Sequence, residues 1–319
     1  MASRGDPEGV VCVGGATVDR IYRARDALRP GTSNPVTSCR SFGGVARNVA
    51  ESLARLGAKV ALVSAVGDDE NGRAVAAHLA GLGVDVGRVQ VVPGRATAEY
   101  VAVIEPGGEL AFGLADMAVF EALTPEVLAS AWGAIEAGAL VFADCNLPAD
   151  TLASLMARKR AGNLSTLAVD AVSAPKVARL PADLAGLDLL FLNEEEACAL
   201  LGRALPAGDA VAALRGRGAA SVVLTRGARS VLVADERGTA VLPTVPVSAV
   251  ADVTGAGDAL VALTLRGLAE GDALVQAVRA GLAAAALVLE HPGGVRPDLS
   301  PALVEAAKRR APSPSRSAP

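Results

Sequence analysis

The chain predicts an α/β fold with a mainly parallel central sheet and a small separate β-sheet acting as a lid. Three observations carry this. Short apolar runs recur along the 319 residues with helical stretches between them, the alternation that successive βαβ units write into a sequence. Three consecutive runs, 140–143, 166–169 and 187–192, each end in a polar cluster; the carboxyl ends of parallel strands share one sheet edge, where open α/β folds place their sites. Finally, two hairpin-like segments, 97–104 and 109–114, joined by Glu105-Pro106-Gly107-Gly108, interrupt the alternation. Such a hairpin does not easily join a parallel sheet, so it is read with the polar flap 29–40 as the lid.

Composition sets the class. Hydrophobic residues make up 51% of the chain and charged residues 20%, enough for a large core and too apolar for a disordered chain. A net charge of -4 with no Lys/Arg-rich stripe argues against a nucleic-acid partner. Cys12, Cys39, Cys145 and Cys198 are scattered without a C-x-x-C, and His78 and His291 lie near none of them. That pattern fits reduced thiols and excludes a zinc site or disulfide framework. No run is long and apolar enough to span a bilayer and residues 1–9 are polar, so no membrane partner and a cytoplasmic location are expected.

Taken in order, residues 10–16 form an apolar run closed by Gly14-Gly15, read as a buried strand that delivers Asp19 just past its end. A carboxylate there can accept two sugar hydroxyls at once. A dinucleotide-binding turn is excluded because Gly14-Gly15-Ala16-Thr17-Val18 lacks the third glycine. The flap 29–40 carries Ser33-Asn34. Ser41-Phe42-Gly43-Gly44 then opens a helix with Val45, Val49, Leu53 and Leu56 on one face, stopped by Gly57. Gly43-Gly44 let backbone approach a ligand closely. Asn48, one turn in, either hydrogen-bonds that ligand or lies on the solvated face.

A strand over 59–66, a helix over 72–82 and a strand near 89–92 follow. In the lid, Tyr100 either touches a ligand or fills lid core, and Asp116-Met117 ends the hairpin. A helix through Trp132 leads to strand 140–143 and Asp144-Cys145-Asn146; a helix over 149–160 leads to strand 166–169 and Asp170. The strand 187–192 ends in Asn193-Glu194-Glu195-Glu196, of which Glu194 and Glu195 read as an acidic first helical turn. The last third carries a helix near 209–217, a strand 221–225 ending at Arg226-Gly227, a hairpin over 231–245, and helices running to Leu268, over 274–289 and over 301–308. The Pro/Ser/Arg tail 311–319 is expected to be disordered.

Before the helix that runs to Leu268 lies Asp252-Val253-Thr254-Gly255-Ala256-Gly257-Asp258. Two glycines allow a turn tight enough for successive N–H groups to point at one spot, and a helix N-terminus adds to that field. The turn therefore suits an anion. Asp258 is either a helix-capping residue of a plain loop or a base that takes a proton from an attacking hydroxyl, the arrangement that phosphoryl transfer requires.

Together these residues resemble the PfkB sugar-kinase family over nearly the whole chain. One family signature is similar to Gly43-Gly44 through Asn48 to Leu56-Gly57, the other to Asp252 through Asp258 with its helix. The resemblance implies a ribokinase-like three-layer fold, a kinase domain over 1–310 with lid segments near 29–40 and 97–116, and homodimerisation through paired lids. It implies Asp258 as catalytic base, Gly255, Ala256 and Gly257 as the anion hole, and Asp19, Gly43, Gly44 and Asn48 as sugar ligands. It further implies that Asn193 and Glu196 arrange Mg²⁺ through water around the phosphates of ATP, that Thr225 and Gly227 form the nucleotide turn, and that K⁺ binds near Asp252. Within the family, Ser33-Asn34-Pro35, the run 43–48, Val63-Ser64-Ala65-Val66-Gly67, Asp116-Met117, Ala143-Asp144-Cys145-Asn146, Asp170 through Lys176 and the run 253–259 resemble the branch that phosphorylates the 5′-hydroxyl of pseudouridine. Asn34, Asp116 and Lys176 are its candidate substrate contacts, and Ala171 departs from the Pro usual there. Alternatives are a same-fold kinase for ribose, adenosine or a keto-deoxy sugar acid, and a non-catalytic nucleoside-binding protein.

Overall fold

The computed structural model describes residues 9–310. Its main sheet has nine strands in the order β13-β12-β11-β10-β9-β8-β1-β4-β5: β1 (Val10–Val13), β4 (Val60–Gly67), β5 (Asp85–Val92), β8 (Leu140–Asp144), β9 (Leu167–Asp170), β10 (Leu189–Asn193), β11 (Val222–Thr225), β12 (Val231–Asp235) and β13 (Gly238–Leu242). All pairings are parallel except β11–β12 and β12–β13, the hairpin that closes one edge. The parallel strands inside the sheet are near-continuous apolar runs because helices cover both faces.

Alternation along β1 shows the layering. Val10 and Cys12 join a core containing Val49 and Leu53 of α1 (Val45–Arg55), Leu79 of α2 (Glu70–Gly81), and residues of α8 (Ala256–Ala269), α9 (Leu274–Leu289) and α10 (Pro301–Lys308). Val11 and Val13 point the other way, into a core with α3 (Trp132–Ala137), α4 (Ala149–Arg160), α5 (Ala174–Val177), α6 (Glu194–Leu201) and α7 (Ala207–Gly216). The fold is thus three-layered, helices on either side of a sheet. Chain order runs from β1 outward through β4 and β5, then returns to β8 on the other side of β1 and continues outward from there. The crevice between β1 and β8 is therefore the topological switch point, where open sheets bind ligands.

A second sheet, ordered β3-β2-β6-β7, forms the lid from β2 (Thr17–Ala24), β3 (Val36–Gly43), β6 (Glu99–Ile104) and β7 (Leu110–Asp116). Of these four strands the sequence predicts β6, β7 and the part of β3 that lies in the flap, but not β2. The stretch after Gly15 is not a loop carrying Asp19 but a full lid strand paired with β3 from Thr17↔Gly43 to Ala24↔Val36, and the flap 29–40 is the turn and first half of β3. The helix expected through Trp132 is instead two 3₁₀ turns, Ala118–Ala122 and Val127–Ser130, followed by the short α3. The tail 311–319 lies outside the described residues. Among those described, no helix is long and apolar enough to cross a membrane.

Candidate active site

The site forms where β1, β8 and the starts of α1 and α8 meet below the lid. Its organiser is Asp144, the last residue of β8 and fully buried. Its Oδ2 accepts the N–H groups of Gly15 (2.9 Å) and Ala46 (2.8 Å), and its Oδ1 that of Asn146 (2.9 Å). One carboxylate thereby ties the β1 exit, the first turn of α1 and the β8 exit together. Burial pushes its carboxyl up, and the three N–H groups and Lys176 pull it back. A Cβ on Gly14 would lie 2.4 Å from Asp144, so that turn has room only for glycine.

Asp258 sits in the first turn of α8. Gly255 takes the N-cap position with φ 77° and no side chain caps the helix start, which leaves the opening N–H groups of the helix directed outward. A Cβ on Gly255 would come within 1.7 Å of the Gly294 carbonyl oxygen, so the turn is built backbone against backbone. The Asp258 Oδ2 accepts from Asn48 Nδ2 at 2.7 Å. Asp258 is half-buried; desolvation raises its carboxyl to about 7, with Asp144 and Asp19 adding to the rise and Asn48 and Arg47 opposing it. A carboxylate poised near neutrality suits a general base.

On the lid side, Asp19 pairs with Ser41 and with Tyr100, which sets these three on one face. Thr17 Oγ1 donates to Asp19 Oδ1 at 2.9 Å; burial raises the Asp19 carboxyl and Arg47 lowers it. A Cβ on Gly43 would strike Asp19 Oδ2 at 2.1 Å, and one on Gly44 the Gly15 carbonyl oxygen at 2.5 Å. The two glycines thus admit Asp19 and the β1 exit as well as any ligand. Lys176, on α5, donates from Nζ to Asn146 Oδ1 at 2.5 Å. Ala171 is fully buried and Val172 adopts φ 65°, a strained conformation for a β-branched residue, held by its N–H donating to Asp170 Oδ1 at 2.8 Å.

On the other side of Asp258 lies an apolar cavity of about 450 Å³ lined by Thr225, Gly227, Val247, Val253, Ala256 and Leu282 among others. Asn193 and Thr225 are register partners at the ends of β10 and β11. Asn193 and Glu196 form a reciprocal capping box at α6, Asn193 Oδ1 accepting from Glu196 N–H at 2.9 Å and Glu196 Oε2 from Asn193 N–H at 2.8 Å. Burial raises the Glu196 carboxyl. Asp252 accepts from the N–H groups of Thr254 (2.9 Å) and Gly293 (3.2 Å), and these bonds outweigh partial burial and lower its carboxyl.

The structure therefore gathers Asp19, Gly43, Gly44, Asn48, Lys176, Gly255, Ala256, Gly257 and Asp258 about one crevice, with Thr225, Gly227, Asn193 and Glu196 beside the cavity. It does not bring Asn34 or Asp116 to them. The Asn34 amide is used within its own turn, bonded to Arg29 N–H, the Arg29 carbonyl and the Thr32 carbonyl, at the end of β2 and β3 remote from Asp19. Asp116 pairs with Glu99, whose row includes Val18, so the register sets it on the face opposite Asp19, where it accepts from Ala118 N–H. Sequence reasoning leaves out Asp144, Gly294 and Arg47. Asp144 was signalled by its strand-end cluster, and Arg47 lies within the resembling run 43–48 with no role given to it; Gly294 had no local signal.

A family model, the pfkB family of carbohydrate kinases, matches residues 7–301. The chain is 32% identical over 295 residues to pseudouridine kinase of Escherichia coli K12, spanning 91% of this chain and 93% of that protein. It is 31% identical over 259 residues to cytidine kinase of Thermococcus kodakarensis, spanning 79% of this chain and 88% of that protein. A solved carbohydrate kinase from Agrobacterium tumefaciens matches with a TM-score of 0.83 and 36% identity, over 95% of this chain and 97% of that one.

Proposed function

The chain belongs to the pfkB family of carbohydrate kinases, and we propose that it uses ATP to phosphorylate the 5′-hydroxyl of pseudouridine, giving pseudouridine 5′-phosphate. The observation that carries the reading is the place of Asp258: at the uncapped start of α8, between the apolar cavity and the crevice of Asp19, Gly43-Gly44 and Asn48. The nucleotide base is assigned to the cavity, and its phosphates to the amides of residues 255–257. The ribose lies against Asp19 and Asn48, which present its 5′-hydroxyl to Asp258. Asp258 accepts the hydroxyl proton as the oxygen attacks the γ-phosphorus, and the helix-start amides stabilise the charge on the transferring phosphoryl group. The lid, closing over the crevice, excludes water that would otherwise take the phosphoryl group. The similarity to a pseudouridine kinase over nine-tenths of the chain supports the substrate, and the kinase unit is taken to extend over 1–310.

The donor set fits the ions such a kinase uses. Among the described residues no cluster of three or more His, Cys, Asp or Glu is arranged to hold a metal; Mg²⁺ characteristically keeps its waters and binds through one or two carboxylates plus substrate phosphates. Glu196 would serve it through water, and the ion would supply charge neutralisation on the phosphates. Asp252 has a lone pair left on each oxygen for K⁺. The nucleoside base would meet the lid face that carries Tyr100. Pseudouridine offers one more ring N–H than uridine, and a site built to accept it leaves a buried acceptor unpaired when uridine binds.

The test is ADP release with ATP and Mg²⁺ against pseudouridine, uridine, cytidine, adenosine and ribose, with and without K⁺. We expect kcat/KM for pseudouridine to exceed the others by about 10²-fold or more; a preference for ribose, cytidine or adenosine would overturn the substrate, and silence across the panel would overturn the kinase reading. A homodimer through the lids is also proposed, supported by the exposed apolar residues Leu110, Phe112 and Leu114 along the edge strand β7. Light scattering after size exclusion should give twice the chain mass, and a monomer at micromolar concentration would refute it.

A further inference from the structure

We propose that Arg47 is the positioning residue for the base: it fixes the orientation of the Asn48 amide, and through it the Asp258 carboxylate, and ties both to the hinge of the lid. This rests on Asp258 acting as the base. Arg47 is 3% exposed on α1. Its Nη1 donates to Asn48 Oδ1 at 2.6 Å and to the Phe42 carbonyl oxygen at 2.9 Å, just before β3 ends. Its Nη2 is ion-paired with Glu51, which also accepts from Arg55 Nε at 2.8 Å and meets His78 Nε2 at 3.0 Å.

The chemistry of the amide makes this directional. A guanidinium has donors only, so it can face only the oxygen of Asn48, and the NH₂ group is then turned to Asp258. With the cation removed, the Asn48 oxygen loses its donor, and only the bond to Asp258 is left to hold the amide in place. The Arg47 Nε has no partner, a cost accepted by a side chain whose two terminal nitrogens are both committed. Charge acts in the same sense. Facing Asp258 are the carboxylates Asp144 from β8, Asp19 from β2 and Asp170 from β9, and Arg47 is the cation from α1. Around Arg47 stand Glu51 and Arg55 of α1 and His78 of α2; burial, Arg47 and Arg55 hold His78 below its ordinary value, so it stays neutral where Asp258 titrates.

The experiment is a set of pH–rate profiles of kcat/KM, on the best nucleoside substrate of the parent enzyme, for Arg47→Gln, Arg47→Lys, Glu51→Gln, the double variant Arg47→Gln/Glu51→Gln, and Asp258→Asn. Arg47→Gln should lower kcat/KM about 10- to 100-fold and move the acid limb up by roughly half to one pH unit. Arg47→Lys should restore the limb more than the rate. Glu51→Gln, which leaves Arg47 uncompensated, should move the limb down. Opposite movements separate positioning from simple loss of packing, which would depress both variants without moving either limb. If Arg47→Gln does not fold, the double variant removes both buried charges and must still show a lowered rate. An unmoved limb in Arg47→Gln, beside an inactive Asp258→Asn, overturns the proposal alone; an active Asp258→Asn overturns the base assignment and this inference with it.

Discussion

Asp258→Asn should lose at least about 10³-fold in kcat with little change in KM for either substrate, because it removes the proposed proton acceptor and keeps the shape of the site. The parent enzyme should show an acid limb near pH 7, where the raised Asp258 carboxyl takes up its proton. The same shift has a stability consequence of definite sign. A carboxyl whose folded value lies above its unfolded value favours the fold below the unfolded value, and that contribution is lost as pH rises to about 7. Asp258→Asn, neutral throughout, should therefore melt at or above the parent temperature at pH 8 while being inactive. Thermal melts at pH 5 and pH 8 alongside initial rates check both parts. Substantial turnover by the variant, or a parent profile flat from pH 5.5 to 8, would show that another group takes the proton.

How much of this was legible in the sequence depended on whether the cause was local. Helix bounds at Ala149–Arg160, Leu274–Leu289 and Pro301–Lys308 are readable because apolar spacing and start residues lie within the segment itself. The glycines at 43, 44 and 255 announce tight backbone, but their reasons are distant: Asp19 fills the space beside Gly43, and the Gly294 carbonyl the space beside Gly255. The lid strand β2 escaped because both its faces are partly solvated, so that Thr17-Val18-Asp19-Arg20-Ile21-Tyr22-Arg23 carries no clean alternation. Asn193 and Glu196 read as a nucleotide motif and are also a helix-capping pair; the same spacing serves both and sequence alone does not choose. Asn34 rests on the resemblance of Ser33-Asn34-Pro35 to the family branch, yet its amide closes its own turn.

Asp144 is the site residue whose role is least local, and its removal should cost the most stability. Asp144→Ala would leave the N–H groups of Gly15, Ala46 and Asn146 without the acceptor they share, in a position with no solvent access. Each orphaned buried donor costs about 1–3 kcal/mol, and relaxation around the small cavity recovers only part, so a loss of about 3–5 kcal/mol in urea melts is expected. Asp144→Asn should be nearly as damaging, because an amide presents one acceptor oxygen where two are used and turns its NH₂ toward a donor. Both variants should lose stability, whereas a carboxylate acting only through its charge would predict Asn and Ala alike to gain it by relieving the repulsion felt by Asp258. If either variant melted within about 1 kcal/mol of the parent, the switch-point crevice would be held by the sheet alone, and Asp144 would be a bystander to the site. The expected loss would instead mean that β1, β8 and α1 are joined at one carboxylate, and that the switch-point crevice exists only because residues 129 and 98 positions away along the chain converge on it.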